Sequence, residues 1–163
     1  MLRITLSIAA LATLAACGDI SQKANPDAAD DPALSASAPA LPLPDYFDCV
    51  RQNKGVLIAA HRGGPAPGYP ENTLETLQYG FSQGIRVFEI DVAESRDGVL
   101  LLMHDNRLNR TTTGDGYVAD TDWATLSGLR MIDNDGQRTD FKPPKLTDVL
   151  LWAKQSGAIL ELD

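Results

Sequence analysis

Two periods of apolar residues alternate along the chain from residue 56 onward. Residues 56–60, Val-Leu-Ile-Ala-Ala, form an unbroken apolar run that stops at His61, before a Gly- and Pro-rich loop. Such a run predicts a buried strand that delivers its last residue to a loop mouth. Leu74, Leu77 and Phe81 follow at helical spacing, with Asn72 as the expected N-cap, Glu75 as its capping-box partner and Gly84 as the stop. A second strand is expected over residues 86–92. Strand, loop, helix and strand in this order favour a parallel sheet with a right-handed crossover.

The next connection is too short for a crossover. Residues 93–98, with Asp97-Gly98 as the turn, separate the second strand from residues 99–103, whereas a parallel return needs about a dozen residues. A hairpin-like excursion is therefore expected, ending at His104-Asp105. Residues 108–140 are polar and rich in Gly, Asp and Thr, with Thr121 or Asp122 able to cap a short turn. A helix is predicted from Thr147 to about Gly157, with Val149, Leu150, Trp152 and Ala153 partly on one face. The chain then ends in a strand, residues 158–163.

The strands carry polar residues where a core would carry none. Glu89 and Asp91 alternate on one face of the second strand, and Glu161 and Asp163 repeat the pattern at the end of the chain. Carboxylates paired in this way suit a hard cation such as Ca²⁺ or Mg²⁺, although a lone pair of this kind more often lies on a solvated strand face. Both histidines, His61 and His104, fall at the ends of apolar strands. Two imidazoles flanking one substrate can divide the general acid and base roles, and Arg62 offers a planar fork for phosphate or carboxylate. Together these residues fit cation-assisted attack on a phosphodiester. A dinucleotide fingerprint at residues 114–119 lacks a preceding strand, and Asp133-Asn134-Asp135-Gly136 would put Met131 at the first ligand position of a calcium loop, so both are set aside.

Composition adds an address. The chain has 163 residues and 44% hydrophobic content. Residues 1–16 read as a secretory signal, with Arg3 before an apolar run too short to span a bilayer comfortably. Leu14-Ala15-Ala16-Cys17 resembles the lipobox of bacterial lipoproteins, which makes Cys17 the expected lipidated N-terminus of an exported protein, anchored on the periplasmic or outer-surface face of the envelope. Cys49 is then expected to have no intramolecular partner. Residues 17–46, rich in Ala, Pro, Ser and Asp, are expected to be a disordered tether, and residues 47–163 the folded domain. A net charge of −8 argues against nucleic acid as a partner.

The motifs in order resemble the glycerophosphodiester phosphodiesterase family, of the phospholipase C-like phosphodiesterase superfamily. They are His61-Arg62-Gly63, Pro70-Glu71-Asn72-Thr73, Glu89-Ile90-Asp91-Val92, Asp97-Gly98, His104-Asp105 and Leu108-Asn109-Arg110-Thr111-Thr112 with Gly114 and Gly116. The resemblance implies an α/β fold, a TIM-type barrel, that hydrolyses glycerophosphodiesters to an alcohol and glycerol 3-phosphate with a divalent cation. It implies His61 and His104 as the acid/base pair, Arg62 as a phosphate ligand, and Glu89 and Asp91 as metal ligands. The family's third ligand lies in a Glu-x-Lys strand motif, where this chain has Glu161-Leu162-Asp163. Asp163 is preferred, because an acid in place of the lysine would add repulsion at a phosphate site; Glu161 is the alternative.

A TIM barrel takes about 250 residues, so the chain is expected to be the front portion of a longer barrel, truncated to its first strands and helices. Two other readings stand beside the first. One is a membrane-anchored lipoprotein with a non-catalytic barrel that binds a metal or a partner; the other is a phospholipase C- or D-like enzyme of the same superfamily.

Overall fold

The computed structural model describes residues 42–163. The expected signal at 1–16, Cys17 and the tether up to residue 41 lie outside the described residues. The chain divides between Leu57 and Ile58 into two compact units.

In the first unit, helix α1 spans Leu43–Gln52 and so begins inside the segment expected to be tether. Its first turn contains Pro44, which is tolerated there because the first amide groups of a helix have no intrahelical acceptor. Tyr46 and Val50, one helical turn apart, are its buried residues. Cys49 is disulfide-bonded. This corrects the expectation that it has none, which had rested on assigning the sulfur of Cys17 to acylation. The sequence holds two cysteines, and disulfides persist in oxidising compartments.

The second unit contains β1 (Ala59–Ala60), α2 (Leu74–Ser82), β2 (Val87–Ile90), β3 (Val92–Glu94), β4 (Leu100–Leu102), α3 (Trp123–Leu126), α4 (Leu146–Ser156) and β5 (Ile159–Leu162). The strands β1, β2 and β5 form a parallel sheet in that order, with Ala60 opposite Phe88 and Glu89 opposite Glu161. As expected from the short connection, β3 and β4 form an antiparallel hairpin with Ala93 opposite Leu101. The strand predicted over 86–92 is interrupted at Asp91, whose amide donates to the Asn72 side chain instead of to a neighbouring strand. There the chain passes from the parallel sheet into the hairpin.

Two further expectations are corrected. Thr73, not Asn72, caps α2: its hydroxyl accepts from the Thr76 amide at 3.2 Å, while the Asn72 side chain is committed to Asp91. The run 56–60 is strand only at Ala59–Ala60, and Ile58 is 68% exposed. Among the described strands β1 pairs only with β2 and is an edge of the sheet.

Burial explains the rest of the arrangement. Leu77, Phe88, Ile90, Leu102 and Val149 form one core between the sheet, α2 and α4, with Trp152 edge-on to Phe81 and Phe88. Leu101, Met103, Leu108, Val118 and Leu126 form a second. Adjacent residues of β4 point to opposite faces, so Leu101 and Leu102 feed different cores and fix the hairpin between them. The parallel strands with their connecting helices are part of a TIM-type (β/α) barrel. Among the described residues no helix is long and apolar enough to cross a membrane.

Candidate active site

The site lies beyond the C-terminal ends of the parallel strands. The residue after β1 is His61, the last two of β2 lead into Asp91, and β5 leads into Asp163. Parallel ladders hold these ends side by side: the Asp163 amide donates to the Ile90 carbonyl at 3.0 Å, and the Val92 amide donates to the Asp163 carbonyl at 2.9 Å. Side chains two residues apart share a face, so Glu89 and Asp91 face the same way and Asp163 joins them from the next strand.

The three carboxylates of Glu89, Asp91 and Asp163 each place an oxygen within 4.8 Å of the others. Glu161, the alternative third acid, is exposed and is not part of this group. Three hard oxygen donors at this spacing fit Ca²⁺ or Mg²⁺. The protein itself offsets only part of their charge. The Arg62 amide donates to Glu89 Oε2 at 2.6 Å, the Asn72 side-chain amide donates to Asp91 Oδ2 at 2.6 Å, and Arg62 Nε is 3.9 Å from Asp91. Arg62 Nε is buried with no hydrogen-bond acceptor. The donor set therefore fits a divalent cation on its chemistry.

Arg62 sits in a left-handed backbone conformation, φ 53°, inside a 3₁₀ turn spanning His61–Gly63. A residue with a Cβ holds this conformation at a steric cost, and here the bond from its amide to Glu89 fixes it. The turn exposes His61 and aims the Arg62 side chain across the site. Arg62 follows His61 in the chain, and its Nη2 is 2.6 Å from His104 Nε2.

Residues that sequence reasoning passed over complete the surroundings. Glu71, with 4% of its side chain exposed, accepts from Arg110 through both oxygens, at 2.8 and 2.9 Å, and from Arg62 Nη1 at 3.3 Å. Arg110 also donates to both oxygens of Asp105, at 2.6 and 2.9 Å, and Asp105 Oδ1 is 2.6 Å from His104 Nδ1. Burial works against the charge on Glu71, yet the hydrogen bonds and charges of Arg110 and Arg62 outweigh it and keep the carboxyl below its ordinary pKa. The hydrogen bond from Arg110 and the one to His104 hold Asp105 far below the usual carboxylate range. Arg110 is raised by Glu71 first and then by Asp105. A sequence signal for these residues existed: a glutamate between Pro70 and Asn72 in a loop about to be buried needs a cation, and Arg110 is the unassigned one in the motifs.

Two open clefts reach the site. One, of about 450 Å³, is lined by Arg62, Glu71, Arg110, Thr111, Asp133 and Asn134. The other, of about 600 Å³, is lined by Val92, Met103, His104, Asn106 and Tyr117. Asp133 is not a calcium-loop residue: its carboxylate accepts from the amides of Gly68, Asp135 and Gln137, tying two loops together.

The model of the glycerophosphoryl diester phosphodiesterase family matches residues 61–161. The chain belongs to that family. Among the family's solved structures, a phosphodiesterase from Parabacteroides distasonis is 39% identical with a TM-score of 0.61, over 66% of this chain and 37% of that one. A phosphodiesterase from Oleispira antarctica, solved with the product sn-glycerol-3-phosphate, is 35% identical with a TM-score of 0.56, over 66% of this chain and 43% of that one. Human glycerophosphodiester phosphodiesterase 1 is 37% identical over 87 residues, 53% of this chain and 26% of its own length. The chain spans less than half the length of these relatives.

Proposed function

We propose that this protein hydrolyses glycerophosphodiesters to an alcohol and glycerol 3-phosphate. The observation that carries the reading is the convergence of three carboxylates, Glu89, Asp91 and Asp163, with Arg62 and His104 at one end of the sheet. The matching Oleispira antarctica enzyme, solved with sn-glycerol-3-phosphate, supports the substrate class.

Each residue has a role its chemistry suits. Glu89, Asp91 and Asp163 hold Ca²⁺ or Mg²⁺, and the cation supplies neutralisation of the charge that builds on the phosphate oxygens. Arg62 grips a phosphate oxygen through its guanidinium. His61 and His104 exchange protons with the attacking hydroxyl and the leaving alcohol. His104 has Nε2 available for this role once Arg62 turns to the phosphate, because Nδ1 is held by Asp105. We further propose that the protein is exported. A lipid anchor on Cys17 competes with a disulfide for the chain's two sulfurs, and the intact mass of the mature protein decides between them.

The test of the activity is direct. The purified protein is incubated with a glycerophosphodiester and Ca²⁺ or Mg²⁺, and glycerol 3-phosphate is measured with and without chelator. Chelator-sensitive release is the expected result. Cation binding without any release would favour the non-catalytic lipoprotein reading instead.

A further inference from the structure

Five side chains close into a ring: His104 to Asp105, Asp105 to Arg110, Arg110 to Glu71, Glu71 to Arg62, and Arg62 back to His104. Its two far members, Glu71 and Arg110, touch none of the three carboxylates at the proposed cation site. We propose that Glu71 and Arg110 are positioning residues that hold His104 in the tautomer with its proton on Nδ1 and hold Arg62 beside it. This rests on the reading of His104 as an acid/base group.

The tautomer follows from donor arithmetic. A guanidinium can only donate, so with Arg62 Nη2 at 2.6 Å, His104 Nε2 must be the accepting nitrogen. The proton of the neutral ring is then on Nδ1, where Asp105, kept ionised by Arg110, accepts it at 2.6 Å. Arg110 acts on the Nδ1 side. Its fork grips Asp105 through both oxygens and thereby fixes the rotation of that carboxylate. Glu71 acts on both sides, since it is shared by the Arg110 fork and Arg62 Nη1.

A purely structural link between the 71 loop and the 110 loop would require less. One buried carboxylate and one arginine would satisfy each other; here the carboxylate is divided between two arginines, each of which leads to a different nitrogen of the same imidazole. Arg62, moreover, is placed for this contact by a left-handed backbone held by Glu89, so its direction is not left to a flexible stem.

The test reads the imidazole itself. Nitrogen-15 chemical shifts of the two histidines, assigned with a His61→Gln variant, give the His104 tautomer without reference to activity. The unaltered protein is expected to show a protonated Nδ1 and an unprotonated Nε2. Arg110→Gln, at a side chain 45% exposed and so compatible with folding, is expected to yield a tautomer mixture. The same variant should lower kcat about tenfold, the scale of a modest misplacement of a reacting group, with KM within about twofold. Arg110→Lys keeps the charge but lacks the fork and is expected to resemble Arg110→Gln. Glu71→Gln is expected to lower kcat and also raise KM, because Arg62 loses its anchor. Folded Arg110→Gln with an unchanged tautomer and unchanged kcat overturns the proposal, as does full rescue by lysine. Should the unaltered protein release no glycerol 3-phosphate, the functional reading fails while the tautomer measurement still decides the positioning claim.

Discussion

Asn72 and Asp91 hold each other twice. The Asn72 side-chain amide donates to Asp91 Oδ2 at 2.6 Å, and the Asp91 backbone amide donates back to Asn72 Oδ1 at 3.1 Å. Both residues are buried, and Asn72 has φ 57°, a conformation asparagine accepts more readily than most residues. The pair positions one proposed cation ligand from a loop rather than from the sheet.

Removing that side chain leaves the buried Asp91 amide without an acceptor. Asn72→Ala should therefore destabilise the fold by about 2–4 kcal/mol, combining an unpaired buried donor with the strain of a left-handed alanine. Asn72→Gly removes the same bonds but relieves the backbone, so it should be less damaging by about 1 kcal/mol. Denaturant unfolding of both variants checks the order; equal losses would show that the backbone conformation contributes nothing.

The acid side of the stability curve should be steep. Glu71 and Asp105 have pKa values below their ordinary 4.5 and 3.8. Their stabilisation is therefore fully present above those values and is lost as pH falls through the depressed folded ones, where the folded state must take up protons. Arg110→Gln should bring both groups back toward ordinary behaviour, lowering stability at neutral pH and flattening the decline below about pH 4.5. Unfolding free energies between pH 7 and pH 3 test this. Parallel curves for the two proteins would be the contrary result.

Cation affinity should separate the two candidates for the third acid. Asp163→Asn is expected to weaken Ca²⁺ or Mg²⁺ binding at least as much as the 10–100-fold typical for losing an outer partner of a metal ligand, as is Glu89→Gln. Glu161→Gln, at a position outside the carboxylate group, should stay within about twofold. Calorimetric titration with each cation measures all three, and a large effect at Glu161 would reverse the choice.

A fourth expectation concerns packing beneath the site. Gly80 lies in α2 where an added Cβ would meet Phe88 Cε1 at 2.9 Å, and Phe88 is fully buried in the first core. Exchange of an internal helical glycine for alanine ordinarily gains up to about 1 kcal/mol. Overpacking against a ring that cannot retreat costs about 1–3 kcal/mol. Gly80→Ala should therefore lower the melting temperature, and a raised one would mean that α2 can shift.

Much of this arrangement was legible because it depends on local rules. The six-residue connection around Asp97-Gly98 forces a hairpin, and β3–β4 is one. The acids alternate on β2 because strands have period two. Glu71 was harder, since its partner Arg110 lies in a distant polar loop and nothing in either segment's periodicity links them. Asn72 was misread for a related reason. Its sequence context fits a helix cap, and only the tertiary neighbour Asp91 outbids that local use. The run at 56–60 shows the opposite failure: apolar character predicts burial, but burial also requires something packed against the side chains, and Val56 and Ile58 stay 79% and 68% exposed.

The ladder between β2 and β5 joins the early and late parts of the second unit, and Asp91 and Asp163 become neighbours only through it. The carboxylate group thus cannot form as a local nucleus. During synthesis Glu89 and Asp91 are made long before the strand that completes them, and the chain reaches that strand only after the hairpin, the long polar loop and α4. Assembly of this carboxylate group consequently depends on the long-range pairing of β2 with β5. A bound divalent ion would act on the reverse path, as a pin that must be drawn before β5 can peel away.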